Sequence, residues 1–244
     1  VDVSGGTMKV NFTSANGATI TDNASGSFTV GTLNYSGGTL EMSGTVDITT
    51  LKVGAGLTAT VYNNGATAGQ NKTFGTVELG AGATLKTHDN AKVTKATDFG
   101  TLKFMGDSAS IQDAWHAGYY HVDALTMGEG VTSSTLNLKK TASSSLATVF
   151  ELGNAGDTTS NFAGKINLQQ TNTGKGRSAF MVLSNANIAQ NAVISMTDAS
   201  DTSESAYIGL GINADQTTIA GLESNEANGS LANLFSGKIG TEVE

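Results

Sequence analysis

The stretch LKVGAGLT at residues 51–58 decides the fold, because the chain repeats it at a nearly fixed interval. VELGAGAT follows at residues 77–84 and LTMGEGVT at residues 125–132, and looser copies begin at residues 102 and 150. The five starts are 26, 25, 23 and 25 residues apart. A unit of this length is long enough for two or three short strands and matches one coil of a parallel β-helix. A single coil cannot bury its inward face alone, so such coils stack.

Apolar residues alternate with polar ones along nearly the whole chain. Examples are LEM at residues 40–42, VDI at 46–48 and INL at 166–168. This period of two is typical of strands with one buried face. Exceptions are expected around residues 109–124 and 230–235, where the sequence allows a helical turn. The pattern as a whole predicts an all-β protein.

Composition restricts both the fold and the partners. Among 244 residues there are 31 glycines, no proline and no cysteine, and the net charge is −8. Strands inside a stack must donate their backbone N–H groups, which proline cannot do, and glycine suits the tight corners between strands. The lack of cysteine excludes disulfides and thiolate sites. An acidic chain is a poor ligand for phosphate backbones, and no apolar run is long enough for a membrane helix. We therefore expect neither nucleic-acid binding nor a membrane-embedded segment.

These observations predict one right-handed parallel β-helix of about nine or ten coils, formed by residues 1–244 as a single unit. An antiparallel sandwich or barrel is the rival architecture, since its strands could have similar spacing. The G-x-G motif recurs at the length of a coil rather than of a hairpin, which favours the solenoid.

The second half of the chain resembles a known repeat. Its segments NFAGKINL (161–168), AFMVLSNANI (179–188), AYIGLG (206–211) and TTIAGL (217–222) follow one another in the order of the autotransporter-associated β-strand repeat. The resemblance covers about residues 148–234 and lacks the N-T-Y-x-G-G-T core of that family. It implies the passenger region of a bacterial protein that is exported across the outer membrane and is secreted or displayed at the cell surface. Such passengers are commonly adhesive or self-associating.

The most unusual segment lies at residues 111–123 and contains the chain's single tryptophan and two of its three histidines. Exposed aromatic rings there could stack on sugars or peptides. The alternative is a corner whose aromatic side chains cover the core. The two histidines are five residues apart, which suits neither a helix face nor a strand face, so we predict no metal site and no cofactor. The candidate ligand-binding residues are Trp115, His116, Tyr119, Tyr120 and His121.

The sequence thus predicts a structural and adhesive role without catalysis. The expected partners are a protein or glycan of a host or neighbouring cell surface, or further copies of the same chain. A glycan-binding module is the second hypothesis, and a polysaccharide-active enzyme is the third. The third is disfavoured because the sequence shows no recognisable pair of catalytic acids and has its single arginine, Arg177, in a polar loop.

Overall fold

The structure, a computed structural model, is built from two parallel β-sheets of nine strands each. It describes residues 19–22, 27–35, 39–42, 45–63, 72–89, 97–113, 118–141, 147–171, 178–198, 208–226 and 232–236. Each strand pairs in parallel with the strand two positions along the chain, so the backbone alternates between the sheets. This confirms the predicted class, a parallel β-helix, and excludes the antiparallel rival.

The first sheet, called the odd sheet here, contains every second strand beginning with the first. Its strands are β1 (Thr19–Asp22), β3 (Thr39–Met42), β5 (Thr58–Asn63), β7 (Ala83–Asp89), β9 (Ser108–Asp113), β11 (Ser134–Lys140), β13 (Ala163–Gln170), β15 (Asn191–Asp198) and β17 (Gly221–Glu226).

The remaining strands form the even sheet. They are β2 (Ser27–Tyr35), β4 (Thr45–Val53), β6 (Lys72–Leu79), β8 (Thr97–Phe104), β10 (Tyr119–Met127), β12 (Thr148–Leu152), β14 (Ala179–Leu183), β16 (Ile208–Ile212) and β18 (Ala232–Ser236). From β12 onward these strands are only five residues long. The strands become shorter at residue 148, where β12 begins. Because β12 still pairs with β10, the even sheet is continuous across this point.

The core lies between the sheets and consists of apolar columns. In the odd sheet one column contains Ala59, Leu85, Ile111, Leu138, Leu168 and Met196, all buried and in register. In the even sheet Phe74 stacks on Phe99 with ring centroids 5.4 Å apart. The period-two alternation produces these columns, because each apolar position meets its equivalent on the next strand.

The glycines of the repeat form the corner from the even sheet to the odd sheet. The second glycine of each close copy adopts a left-handed conformation, with φ of 68° at Gly56, 69° at Gly82 and 75° at Gly130. A side chain is strained in this region, whereas glycine is not. The first glycine is needed for close approach, since a Cβ on Gly80 would lie 2.6 Å from the Ala55 nitrogen. The predicted role of glycine at the bends is confirmed.

The two predicted helical turns are wrong. Residues 109–113 belong to β9 and residues 119–124 to β10, and the described part of 230–235 belongs to β18. Ala109 is buried in a second column of the odd sheet, between its register partners Ala83 and Leu136, instead of extending a helix. Stacking against neighbouring strands outweighs the weak local helix propensity of this segment.

Candidate functional site

Strand β10 separates the predicted ligand-binding residues onto two faces. Tyr119 and His121 lie on the outer face of the even sheet, while Tyr120 between them points inward. Trp115 and His116 lie outside the described residues. The alternation of a strand therefore keeps two members of the predicted patch on the surface and places one in the core.

Tyr120 is a core residue, which corrects its predicted place in an exposed patch. Its side chain is buried, and its ring stacks on Phe150 with centroids 5.2 Å apart and planes 24° from parallel. Phe150 is its register partner on β12. For this residue the alternative interpretation, an aromatic side chain that covers the core, is the correct one.

Tyr119 and His121 belong to a polar surface that crosses three strands of the even sheet and reaches the residue after a fourth. We call this surface the outer patch, and its members are Asp98, Tyr119, His121, Asp123, Glu151 and Ser184. Asp98, His121 and Glu151 are neighbours in one register column of β8, β10 and β12. The hydroxyls of Tyr119 and Ser184 each donate a hydrogen bond to a different oxygen of Glu151. These contacts hold the Glu151 carboxylate and the Tyr119 ring in fixed positions.

His121 lies between two carboxylates of the outer patch. Its Nδ1 is 3.5 Å from Oδ1 of Asp98 and 3.8 Å from Oδ1 of Asp123. The hydrogen bond to Asp98 raises the pKa of His121, burial opposes this, and the charges of Asp123 and Asp98 raise it further. The pKa of His121 therefore lies above its usual range.

We expect Asp98→Asn to lower the pKa of His121, measured by an NMR titration of the imidazole protons. Asp47→Asn is the matched control, since Asp47 is exposed and lies in the same register column two strands away. In the wild type, the stabilisation from protonated His121 is fully present below the unfolded-state value of about 6.5 and disappears as the pH rises through the higher folded pKa. An equal shift in both variants would contradict the assignment of Asp98 as the main partner.

An open depression of about 380 Å³ adjoins the outer patch. Its polar lining comes from Thr101, Asp123, Asn154, Asp157 and Thr159, and two glycines also line it. The Asn154 side-chain amide donates to Asp123 over 3.2 Å. Burial alone would raise the pKa of Asp157, but hydrogen bonds from Ser160 and Thr159 outweigh it, and the pKa is lowered. The depression thus presents two aspartate side chains and an amide, groups that bind hydroxyls.

A second polar group lies inside the core, where the sequence analysis placed no site. We call it the buried polar cluster, and it consists of Asp113, Lys140, Thr141 and Thr148. Asp113 and Lys140 are the last residues of the neighbouring strands β9 and β11, and both side chains are completely buried. Lys140 Nζ is 3.3 Å from Asp113 Oδ2. The signal was present in the sequence, because Asp113 follows Ala109 and Ile111 at inward positions, just as Lys140 follows Leu136 and Leu138.

Among the residues that the structure describes, no three acidic or histidine side chains are arranged to hold a metal ion. The same part of the chain contains no helix that is long and apolar enough to span a membrane.

No protein-family model, curated protein or solved structure matches the chain.

Proposed function

We propose that the protein is a rigid, non-catalytic spacer and adhesion module of a bacterial cell surface. The observation that carries this proposal is the continuity of the stack, since both sheets run through nine strands without interruption. With neighbouring strands about 4.8 Å apart, nine strands extend for roughly 38 Å along the axis. A stack with one continuous core resists bending and can hold a contact surface at a fixed distance.

The lateral surface of the stack avoids repulsion between neighbouring strands. On the even sheet Glu78 lies between Lys52 at 2.9 Å and Lys103 at 3.3 Å, so opposite charges alternate along the column. Burial alone would raise the pKa of Glu78, but both lysines lower it and the net shift is downward. Each exposed pair contributes little stability by itself. This alternation of opposite charges along the column supports the proposal of a long stack, because neighbouring strands attract instead of repelling each other.

The last strand of the odd sheet provides a surface for self-association. Leu222 is in register with the buried Ile194, yet its side chain is 48% exposed, because β17 is the last strand of the odd sheet among the residues that the structure describes. A strand at the edge of a sheet that carries an exposed apolar side chain favours pairing with another chain. End-to-end contact between copies would extend the rod.

We expect Leu222→Lys to abolish any increase of the sedimentation coefficient with protein concentration. Met105→Lys is the control, because Met105 is also a large exposed apolar residue, 42% accessible, but lies after β8 in the middle of the stack. Wild-type protein that stays monomeric at all concentrations would contradict self-association through this end.

The cellular location rests on the sequence resemblance over residues 148–234. We propose that the chain belongs to an autotransporter passenger that is displayed outside the cell. The shortening of the even-sheet strands from residue 148 onward supports a distinct second half. Surface labelling of intact bacteria that express the full-length protein tests this location.

Glycan binding is the second candidate function, and the outer patch favours it. Tyr119 offers a ring on the surface, while the neighbouring depression offers carboxylates and an amide to sugar hydroxyls. Such a combination of an apolar face and fixed polar groups is typical of small-ligand sites.

We expect Tyr119→Ala to weaken binding to immobilised glycans about tenfold. Lys52→Ala is the matched control, since Lys52 lies on the outer face of the same sheet but outside the patch. The measurement is a glycan array followed by titration of each hit. Hits that Tyr119→Ala and Lys52→Ala affect equally would exclude the outer patch as the binding site.

A further inference from the structure

The buried polar cluster holds an amine and a carboxyl group side by side in a dry core. Asp113 and Lys140 each follow directly after the paired residues Gln112 and Lys139 on adjacent parallel strands, and both side chains are 0% exposed. Lys140 Nζ is 3.3 Å from Asp113 Oδ2, so the amine lies beside the carboxyl group whose carbon it would attack. The two groups are therefore held next to each other, as a reaction between them requires.

Both carboxyl oxygens of Asp113 accept hydrogen bonds from neighbouring groups. Oδ1 accepts a hydrogen bond from the backbone N–H of Thr141 over 2.5 Å, while the Thr141 hydroxyl donates to the Asp113 backbone carbonyl over 2.7 Å and lies 3.1 Å from Oδ1. Oδ2 accepts a hydrogen bond from the Thr148 hydroxyl over 2.7 Å. Donors fixed in this way stabilise negative charge that develops on a carboxyl oxygen during attack on its carbon. The Thr141 N–H corresponds to one donor of an oxyanion hole, and Thr148 is placed to pass a proton to the other oxygen.

We propose that Lys140 and Asp113 condense spontaneously to an amide that crosslinks β9 to β11. Nζ transfers a proton to Oδ2, which neutralises the pair, and the free amine attacks Cγ of Asp113. The negative charge collects on Oδ1 beside Thr141. The Cγ–Oδ2 bond then breaks, Nζ gives up a second proton, and Oδ2 leaves as water. The new Nζ–Cγ bond keeps one hydrogen on nitrogen, so the ammonium and carboxylate become one amide and one water molecule without any co-reactant.

Two physical effects favour the amide inside this core. Fixed neighbouring groups react with effective molarities of about 10⁵–10⁸ M, which shifts the condensation toward product. The core also excludes the water that would hydrolyse the bond. In addition, the reaction replaces two buried charges, which are costly to desolvate, with one neutral group. The inference rests on the core geometry and is independent of the proposed adhesive function.

The test is the intact mass of the purified, folded full chain. We expect a mass that is one water molecule below that of the sequence, and a tryptic peptide pair joined through Lys140 and Asp113. Lys140→Arg keeps the positive charge but removes the nucleophile, so its mass should equal that of its sequence. Asp113→Asn should lose ammonia instead of water and reach the same final mass as the crosslinked wild type.

The Lys165–Glu223 pair is an internal control for simple proximity. Its atoms are closer, at 2.7 Å, but the side chains are 40% and 48% exposed. No crosslinked peptide is expected there, because water surrounds the pair. Wild-type protein that is folded by circular dichroism and retains its full sequence mass after prolonged incubation at neutral pH would overturn the proposal. Loss of water that persists in Lys140→Arg would also overturn it, since it would indicate dehydration at another site, such as a succinimide.

Discussion

Asp113→Leu should have a free energy of unfolding about 3–5 kcal/mol below that of the double variant Asp113→Leu/Lys140→Met, because only the single variant leaves a buried Lys140 ammonium without a carboxylate. In the double variant an apolar pair removes the charge as well. The measurement is urea denaturation followed by circular dichroism, with linear extrapolation of the free energy to water. Both variants lack any bond between the two side chains, so their difference reports the uncompensated charge alone.

Lys165→Met is the control for this prediction, because it breaks an ion pair that is exposed instead of buried. Its expected cost is at most about 1 kcal/mol, the upper range for surface pairs. A double variant no more stable than Asp113→Leu would show that the charge of Lys140 is not the source of the loss. The destabilisation would then come from the hydrogen bonds that Thr141 and Thr148 make to Asp113.

The repeat made the architecture predictable because it reports local geometry. Gly56, Gly82 and Gly130 occupy the left-handed corners that the G-x-G spacing requires. Apolar residues two positions apart on a strand lie on the same face, so the core-facing positions could be predicted without knowing any distant contact. Local chemistry and global stacking agree throughout this part of the chain, which is why the sequence was sufficient to identify a parallel β-helix.

The candidate site was less predictable, because it depends on register between strands about 25–30 residues apart. The concentration of rare residue types in one segment pointed to Tyr119, Tyr120 and His121, but it did not show which of these side chains face outward. A shift of one residue along a strand exchanges the two faces, so the register had to be known before Tyr120 could be assigned to the core. Asp98 and Glu151 join His121 only through pairing with β8 and β12.

The buried polar cluster was missed for a related reason. Asp113 and Lys140 each continue an inward alternation, but a charged residue at the end of a strand usually marks its exit into solvent. Only the pairing of β9 with β11 brings the two charges together and makes their burial acceptable. Both residues are visible in the sequence, but the alignment of β9 with β11 that brings them together is not.

Phe104→Ala should lower the free energy of unfolding by about 3–5 kcal/mol, the usual cost of removing a buried phenylalanine. Phe104 is completely buried at the end of β8, and its ring lies 4.8 Å from that of Phe162. Truncation removes this contact and leaves a cavity that the flanking strands cannot fill without disturbing their pairing. Met105→Ala changes the next residue, which is 42% exposed, and should alter stability by no more than about 0.5 kcal/mol.

The stacked architecture makes a second, spatial prediction for Phe104→Ala. Each strand contacts mainly its neighbours, so the loss should be greatest at β6, β8 and β10 and should decrease along the stack toward β16 and β18. Native-state hydrogen exchange with peptide resolution measures this gradient. A uniform decrease of protection from β2 to β18 would contradict nearest-neighbour coupling. It would show instead that the stack unfolds as one cooperative unit. In such a stack, a destabilising substitution on one strand would lower the stability of all the other strands.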